Sequence, residues 1–398
     1  MANEFHQSVR HCPLCGCQSV VRLHFQRFVL VEGHPLHEGY WVVNCENCGF
    51  VFADIAASQA DFDNFYAVQS KYADQNTSTG GGGDLHDAQR LTDFAARMSQ
   101  WIPNHSARIV DIGCANGGLL VALRQLGYSN LLGVDPSAAC ITELRSRGIQ
   151  GLIATLDSLP PNLGTVDAIV LSHVLEHVLD LEKSGRTLRR LLCSDGRIVA
   201  EIPDATRYVD ALVAPFQEFN TEHINHFSPR SLGRYLGTIG LRPEHEYQTF
   251  IPTATLPYPV AGGLYANAHS ADMPEVIDSE LVSKISTYIH ASRVAMDSIN
   301  ERLQAGLMQS DKVLVWGTGQ LTMKLLAETV LGQANIAAFV DSNPINHGKH
   351  LRGVPILSPL RASDYSCPIV VASTLHQSAI VEQIRKNLAL SNSLILLS

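Results

Sequence analysis

Between residues 85 and 250, short apolar runs alternate with segments whose apolar residues recur at helical spacing. The apolar runs are ARIVDIG, NLLGVD, IQGLIATL, VDAIVLSH and GRIVAEIP. Strands that are apolar throughout and separated by amphipathic helices are typical of a parallel sheet covered by helices on both faces. A second alternation lies near the C-terminus, in KVLVWG, ANIAAFVD, CPIVVAST and NSLILLS. The pattern therefore predicts an α/β fold with a doubly wound sheet, followed by a second α/β domain.

The length of 398 residues and these patterns together predict three domains. They are a small N-terminal module over 1–66, a central α/β domain over 67–250 and a C-terminal α/β domain over 251–398. Past residue 251 we expect irregular chain up to a long amphipathic helix. The Gly80 to Gly83 run predicts a loop, because ordered glycine loses much backbone freedom, and this loop is either a linker or a lid over a ligand.

Charge and hydropathy narrow the class of partner. Lys plus Arg is 29 and Asp plus Glu is 38, so the net charge is −9. A chain of this charge is poorly suited to nucleic acid, whose binding depends on neutralising phosphates. The sequence starts without an apolar stretch behind a basic flank, and no apolar run approaches the roughly 18 residues of a membrane span. We expect a cytoplasmic protein that acts on a small molecule, without a nucleic-acid or membrane partner, as a monomer or a dimer.

Five of the nine cysteines fall within the first 48 residues. Four of them form two Cys-x-x-Cys pairs, Cys12 with Cys15 and Cys45 with Cys48. Each pair supplies two thiolates from one tight turn, and four thiolates complete the tetrahedral shell of zinc. Because four protein ligands leave no open position, the predicted zinc is structural and not catalytic. Cys17, and less readily His11, are alternative ligands.

A glycine-rich turn follows the first predicted strand of the central domain. Asp111, Gly113 and Gly117 lie in VDIGCANGG, which leads from that strand into a helix, and Asp135 ends the next strand. Small residues allow a ligand to approach the backbone at a helix N-terminus, and a carboxylate at the end of the second strand can accept both ribose hydroxyls. The two features together predict a bound nucleoside cofactor. The turn lacks the G-x-G-x-x-G pattern expected for a pyrophosphate.

Two histidine motifs follow the later strands of the central domain. Glu222-His223 lies in a predicted loop, and His173-x-x-Glu176-His177 follows a buried strand. A histidine with an ordinary pKa of about 6.5 can act as a general base, and an adjacent carboxylate can orient it. Glu222 and His223 are therefore either this base pair or an ordinary ion pair. His177 is either a catalytic or substrate-contacting residue or a packing residue; we do not favour a zinc peptidase for its H-x-x-E-H spacing.

The C-terminal domain has a weaker nucleotide-binding signature. Gly317-Thr318-Gly319 follows a strand, and Asp341 ends the next one, but the third glycine of the usual motif is absent. A fold without nucleotide is as consistent with this pattern as a binding site.

The order of motifs from residue 85 to 250 resembles that of class I S-adenosylmethionine-dependent methyltransferases. The matching segments are VDIGCANGG, LLGVD, VDAIVLSHVLEHV and EHINHFS. The resemblance implies that S-adenosylmethionine is the cofactor and that its contacts come from the strand ends and turns, at Asp111, Gly113, Ala115, Gly117, Asp135, Leu156, Ser172 and His173. Asp135 would bind the ribose, and Leu156 would lie beside the adenine. Thr155 stands where many relatives have an acidic residue.

The whole chain resembles the sugar C-methyltransferases of deoxysugar pathways, which combine a four-cysteine zinc module, a methyltransferase domain and a C-terminal Rossmann-like domain. The resemblance implies a nucleotide-linked keto sugar as substrate, cofactor contacts from Tyr66, Ser70 and Tyr72, and a functional C-terminal stretch at Asp341, Pro344 and Gly348. In that family a tyrosine precedes the Glu-His pair by two residues, whereas this chain has Asn220. Its C-terminal glycine turn also differs, since Lys324 comes later than the family's lysine.

These inferences predict methyl transfer to carbon. His223, assisted by Glu222, would remove a proton next to a ketone, and His177 or backbone amides would stabilise the resulting oxyanion. One alternative is an O- or N-methyltransferase acting on a carbohydrate or a secondary metabolite. Another is a non-enzymatic adenosylmethionine-binding protein of a polysaccharide pathway. An RNA methyltransferase with a zinc module is disfavoured by the net charge.

Overall fold

The structure is a computed structural model that describes residues 5–68, 85–253, 256–267 and 276–398. The Gly80 to Gly83 run lies outside these ranges. The strands are β1 (Phe5–Gln7), β2 (Ser19–Arg27), β3 (Gly39–Cys45), β4 (Val51–Asp54), β5 (Ile109–Ile112), β6 (Leu131–Asp135), β7 (Gln150–Ile153), β8 (Val166–Ser172), β9 (Leu192–Pro203), β10 (Asn225–His226), β11 (Leu241–Ile251), β12 (Tyr258–Asn267), β13 (Val313–Trp316), β14 (Ile336–Val340), β15 (His350–Leu351), β16 (Val354–Leu357), β17 (Ile369–Val371) and β18 (Leu394–Leu396). The α-helices are α1 (Gln59–Val68), α2 (Leu85–Trp101), α3 (Gly118–Gln125), α4 (Ala138–Ser146), α5 (Leu181–Leu191), α6 (Pro229–Thr238), α7 (Ser279–Leu307), α8 (Gln320–Glu328) and α9 (Gln377–Glu382).

The largest sheet has the strand order β11-β12-β9-β8-β5-β6-β7. Strands β5 to β9 are parallel, and β12 runs antiparallel to both of its neighbours. All four residues of β5 are buried, as expected for a strand with helices on both faces. This arrangement confirms the predicted doubly wound α/β class. The strand order reverses beside β5, and open α/β sheets bind ligands at such a switch point.

Strand β12 corrects the expectation that the chain past residue 251 is irregular. It pairs along its length with β9 and β11, and Val260 to Tyr265 are buried. Gly262 and Gly263 weaken the strand signal in the sequence, yet they fit because a Cβ there would lie 2.4 Å from the Ala200 carbonyl oxygen and 2.2 Å from that of His245. The predicted domain boundary at 250 thus falls between two neighbouring strands of one sheet.

A second α/β sheet lies in the C-terminal part of the chain, in the order β15-β16-β14-β13-β17-β18. Strand β13 is parallel to both β14 and β17, and its four residues are buried. The core beside it includes Leu314, Trp316 and Val340. The predicted second α/β domain is therefore present.

The N-terminal cysteine module contributes β1 to β4 to a further sheet, in the order β1-β2-β3-β4-β10. Its last strand, β10, comes from residues Asn225–His226 and pairs antiparallel with β4. The segment after Glu222 and His223 is thereby joined to the cysteine module.

The chain forms two compact units that do not follow its linear order. The first consists of residues 1–22, 43–211 and 222–285, and the second of residues 23–42, 212–221 and 286–398. Within the described ranges, no helix combines the length and apolar character needed to cross a bilayer.

Leu144 on α4 occupies a hole made by three glycines of the large sheet and its first turn. A Cβ would lie 2.2 Å from its side chain at Gly117, 2.4 Å at Gly133 and 3.1 Å at Gly151. Leu144 is fully buried in a close-packed core, so it cannot easily yield to an added methyl group. The packing of α4 therefore requires glycine in the turn.

We predict that Gly117→Ala lowers the free energy of unfolding more than Gly240→Ala does. Both glycines have a positive φ, 76° and 80°, so both substitutions cost about 1 kcal/mol in backbone strain. A Cβ on Gly240 meets nothing within 4 Å, whereas one on Gly117 overlaps Leu144 and should cost about 1–3 kcal/mol more. Urea denaturation measures both values. Equal losses would contradict the packing argument.

Candidate functional site

The loop after β5 is tied to the end of β6 by one carboxylate. Asp135 accepts hydrogen bonds from the Ala115 amide (3.0 Å) and the Ser137 amide (2.8 Å). Ala115 and Gly113 both have positive φ, and Gly117 caps α3 in the same left-handed region. Each carboxylate oxygen can accept more than one hydrogen bond, so Asp135 can also bind ligand hydroxyls. The structure thus brings together the turn and the acid that the sequence analysis paired.

Two buried acids give this loop its electrostatic character. Asp111 is 3% exposed, and burial together with the nearby Asp135 raises its pKa to about 8, although Arg90 acts in the opposite direction. Burial also raises the pKa of Asp135, against the amides of Ser137 and Ala115. A ligand carrying positive charge would restore the ionised form of Asp111. The two acids at this turn therefore fit a nucleoside with a cationic substituent, as S-adenosylmethionine is.

Three further residues that were predicted to contact the cofactor lie at or just after the ends of β7 and β8. Leu156 is buried and starts a 3-10 turn after β7, where Thr155 forms a capping box with Ser158. Ser172 ends β8, and His173 follows it with a φ of 56°.

The remaining predicted contacts belong to the segment after the cysteine module. The backbone of Tyr66 lies in α1, but its side chain is outside the described part of the structure, as are Ser70 and Tyr72. Their predicted roles stay predictions.

His173 lies between two buried carboxylates. Its Nδ1 is 3.4 Å from Glu176 Oε1, and its Nε2 is 3.5 Å from Glu201 Oε1. Burial lowers the pKa of His173, but the two carboxylates outweigh burial and raise it to about 9. Tyr247 donates a further hydrogen bond of 2.7 Å to Glu201. At neutral pH His173 is therefore protonated between two carboxylates, and Arg90 also favours the ionised form of Glu201.

Glu176, His177 and His223 form the second polar cluster, next to His173. Each offers a ligand atom within 4.8 Å of the other two, and the rings of His177 and His223 are 4.9 Å apart. Glu176 is 1% exposed; burial favours its neutral form, but the nearby His173, His177 and His223 outweigh burial and hold its pKa at about 2. Burial lowers the pKa of His177, so this ring is neutral near pH 7.

The backbone on both sides of His223 is fixed by the turn after β8. His177 Nδ1 donates to the Glu222 carbonyl at 3.0 Å, and the Ile224 amide donates to the Glu176 carbonyl at 2.8 Å. A carbonyl oxygen can only accept, so His177 carries its proton on Nδ1 and presents a lone pair at Nε2. Neutral His177 in this tautomer cannot donate to an oxyanion. In this tautomer His177 donates a hydrogen bond to the Glu222 carbonyl, and its predicted catalytic or substrate-contacting role stays a prediction.

Glu176 was assigned no role from the sequence alone. Glu222 was expected to be the carboxylate beside His223, but the structure adds Glu176, which lies 47 residues before His223 in the chain. The signal was the H-x-x-E-H spacing itself. Leu175–His177 form a 3-10 turn at the end of β8, so Glu176 and His177 share the edge to which β10 brings His223.

The four cysteines lie together in the N-terminal module. Cys12 Sγ is 3.6 Å from Cys48 Sγ, and Cys15 Sγ is 3.5 Å from Cys45 Sγ. All four sulfurs lie within 4.8 Å of one another, which suits a tetrahedral ion with metal–sulfur bonds of about 2.3 Å. Cys17 is not a member of this group of sulfurs, and its own sulfur contacts the Ser19 carbonyl at 3.8 Å. His11 is also directed elsewhere, toward Gln18.

The C-terminal sheet repeats the acid-and-turn arrangement. Asp341 accepts hydrogen bonds from the amides of Thr318 and Asn343, both at 2.8 Å. Asp135 makes the corresponding bonds with Ala115 and Ser137. The second glycine turn thus has the local geometry of the first.

Comparisons with known proteins agree with this geometry. A family described as "Methyltransferase domain" matches residues 84–246, and one described as "C2185-like, N-terminal" matches residues 309–396. The human mitochondrial ubiquinone biosynthesis O-methyltransferase is 28% identical over 173 residues, which are 39% of this chain and 46% of that protein. The ubiquinone biosynthesis O-methyltransferase of Xanthomonas oryzae pv. oryzae is 26% identical over 207 residues, 50% of this chain and 77% of that one. The chain thus spans about half the length of the human relative.

Two solved methyltransferase structures align with less than half of the chain. A methyltransferase from Methanosarcina mazei has a TM-score of 0.38 at 13% identity and covers 44% of this chain and 98% of its own. The magnesium protoporphyrin IX methyltransferase of Synechocystis has a TM-score of 0.36 at 16% identity. The alignment covers 46% of this chain and 84% of that protein.

Four observations concern the same segment of the chain. They are the buried acids Asp111 and Asp135, the glycine turn, the strand order of the large sheet and the match to a methyltransferase family. The chain carries a class I S-adenosylmethionine-dependent methyltransferase domain, which includes residues 84–246.

Proposed function

We propose that the chain transfers a methyl group from S-adenosylmethionine to a carbon next to a ketone, in a nucleotide-linked sugar or a similar small molecule. The observation that carries the proposal is the cluster of Glu176, His177 and His223 at the carboxyl edge of the sheet. Glu176 and His177 follow β8, the strand next to β5, whose own turn carries the cofactor motif. Their place beside the cofactor turn supports a base at this edge of the sheet.

The cofactor would be held by residues of the first turn. Asp135 would accept the ribose hydroxyls, and Asp111 would face the cationic methionine end. When bound, S-adenosylmethionine supplies a methyl group already activated by its sulfonium. The protein therefore needs to generate a nucleophile and to position it.

His223 is the proposed general base. Its imidazole would take the proton from the carbon next to the ketone, and the electron pair of that bond would form the enolate. Glu176 would stabilise the imidazolium, because its carboxylate is buried and lies within 4.8 Å of the His223 ring nitrogen. His177 would act by holding the Glu222 carbonyl, and the oxyanion would need backbone amides or another donor.

O-methylation is the second candidate, and two observations favour it. The curated relatives are described as O-methyltransferases. Glu176, His177 and His223 also form a two-histidine, one-carboxylate set that can hold a divalent cation, which would acidify a hydroxyl. In that case His223 would be a ligand and not a base.

The two candidates differ in product and in metal dependence. C-methylation replaces a carbon-bound hydrogen, so a substrate deuterated next to the ketone loses its label, while O-methylation retains it. Mass spectrometry of the product shows whether the deuterium is retained. The reaction is run with and without a chelator that leaves the cysteine site intact, so that the two candidate functions can be distinguished. Retained deuterium together with loss of activity on chelation would overturn the C-methyl proposal.

We predict that His223→Ala lowers turnover at least a hundredfold, since a positioned general base contributes about 10²–10⁴-fold. Glu176→Gln keeps the size of the side chain but removes the charge, and should lower turnover about tenfold or more. Affinity for S-adenosylhomocysteine, measured by calorimetry, should stay within twofold in both variants. Turnover of His223→Ala within threefold of the parent would rule out the base.

We predict that Asp135→Asn weakens S-adenosylhomocysteine binding at least tenfold. An asparagine side chain has one oxygen that accepts hydrogen bonds, and its NH2 group only donates. It therefore cannot accept hydrogen bonds from two backbone N–H groups and two ribose hydroxyls, as the carboxylate can. Asp341→Asn makes the same chemical change in the second acid-and-turn arrangement and is the matched control. If calorimetry gives the same dissociation constant for both variants, the assignment of the ribose site to Asp135 is wrong.

We also propose that Cys12, Cys15, Cys45 and Cys48 hold a structural zinc ion. Purified protein should contain about one zinc per chain by mass spectrometry, and Cys12→Ser with Cys48→Ser should abolish it and lower the melting temperature. Cys17→Ser is the control and should leave the zinc content unchanged, because Cys17 faces the Ser19 carbonyl. Full zinc in the double variant would contradict the assignment.

A further inference from the structure

Arg10 lies in the N-terminal cysteine module, between β1 and Cys12. Its guanidinium donates hydrogen bonds to the two segments of chain that carry the candidate site. One segment, here called the site turn, is residues 175–179 after β8, and the other, here called the β10 segment, is residues 222–226. Arg10 and both segments belong to the first compact unit.

The two terminal nitrogens of Arg10 reach both segments. Nη1 donates to the Ile224 carbonyl at 3.1 Å, and Nη2 donates to Asn225 Oδ1 at 2.9 Å. Nη2 also donates to the Leu179 carbonyl at 2.7 Å and to the Val178 carbonyl at 3.3 Å. One side chain thus cross-links the β10 segment to the site turn, at the residues that directly follow the candidate base and its neighbours.

Asn225 extends this cross-link. While its Oδ1 accepts from Arg10, its Nδ2 donates to the carbonyls of Leu175 (2.8 Å) and Val178 (2.7 Å). A carbonyl oxygen can only accept, so these two bonds turn the amide oxygen toward the guanidinium. The two carbonyls lie on either side of residues 176 and 177. Arg10 therefore also supports the bonds that enclose the acid and histidine of the site turn.

Arg10 is itself held in place by β4. Its backbone amide donates to Asp54 Oδ1 at 2.8 Å, and its guanidinium carbon lies 5.7 Å from the centre of the Phe52 ring. Phe52 is paired with Asn225 across the β4–β10 ladder. The guanidinium is planar and presents its donors in a fixed fork, so little freedom is lost when it bonds several oxygens at once. The cysteine module thus presents an ordered donor to the β10 segment.

The acceptors of Arg10 indicate what the side chain is for. They are the oxygens of backbone carbonyls and of one amide, all of them neutral. Hydrogen bonds from a charged donor are stronger than those between neutral groups. Asn225 is fully buried, and a buried oxygen that loses its donor is unfavourable. An apolar side chain at position 10 would therefore weaken the contact between the two segments.

We propose that Arg10 is a positioning residue for His223, because it fastens the β10 segment to the site turn that carries Glu176. The inference rests on the proposed role of His223 as the base. It gives the N-terminal cysteine module a part in the methyl-transfer step, apart from any metal that the module binds.

The first test is hydrogen–deuterium exchange in Arg10→Met, made in the full chain. Arg108→Met is the matched control, because Arg108 donates to the carbonyls of Thr165 (3.1 Å) and Leu163 (2.8 Å) before β8, at the opposite ends of the parallel strands. Exchange should become at least tenfold faster across residues 222–226 in Arg10→Met and stay unchanged there in Arg108→Met. Exchange in the turn at 113–117 should not change in either variant.

The second test is turnover, measured with radiolabelled S-adenosylmethionine and a nucleoside-diphosphate keto sugar as probe. We expect kcat of Arg10→Met to fall about ten- to a hundredfold, as for a displaced catalytic group, with KM for S-adenosylmethionine within twofold of the parent. Arg10→Lys keeps the charge but not the fork and should recover part of kcat. In a His223→Ala background, Arg10→Met should cause no further loss, since a residue that acts through His223 then has nothing to position.

Normal exchange at 222–226 together with turnover within twofold of the parent in Arg10→Met would overturn the proposal. If that variant does not fold, the same result in Arg10→Lys would overturn it. A further loss of turnover in the His223→Ala background would also do so, because Arg10 would then act by another route. If His223→Ala leaves turnover unchanged while exchange at 222–226 rises in Arg10→Met, the proposed base fails and the cross-link stands. If His223→Ala abolishes turnover and the Arg10 variants are normal, the positioning role fails and the base stands.

Discussion

The two backbone hydrogen bonds that flank His223 determine what this site can do. His177 holds the carbonyl before it and Glu176 holds the amide after it, so the side chain is carried at the end of β8 by a turn of the methyltransferase sheet. Further bonds fix the residues that follow, because Asn225 donates to the carbonyls of Leu175 and Val178 and β10 pairs with β4. A general base must stay within hydrogen-bond reach of its proton, and loops achieve this only when their backbone is bonded on both sides.

Two buried carboxylates share the positive charge of His173 at this turn. Protonated His173 lies between Glu176 and Glu201, and Glu201 is further stabilised by the Tyr247 hydrogen bond and by Arg90. Buried anions are unfavourable unless a cation or hydrogen bonds compensate them. An imidazolium at His223 would supply that compensation beside Glu176, so the same group that costs stability at rest would favour proton removal from a substrate.

Local features of this chain were predictable from sequence, and long-range ones were not. The glycine turn with Asp135 and the cysteine pairs depend on short spacings, and the structure places their members together. Strand β12 was missed because its two glycines carry no apolar side chain, and their value lies in contacts with β9 and β11. Glu176 was assigned no role because its neighbour His223 lies 47 residues later in the chain, just before β10. No spacing in the sequence reveals that Lys324 holds residue 216.

Residues 212–221 belong to the second compact unit, and their composition shows why. A linker that merely joined two units would be polar and exposed, but Phe216 and Phe219 are buried and Glu218 is 4% exposed. This segment is instead part of the core of the second unit, where Phe216 has a φ of 53° and its carbonyl accepts a hydrogen bond from the buried Lys324. A strained backbone and a buried amine are costs that a linker would not carry.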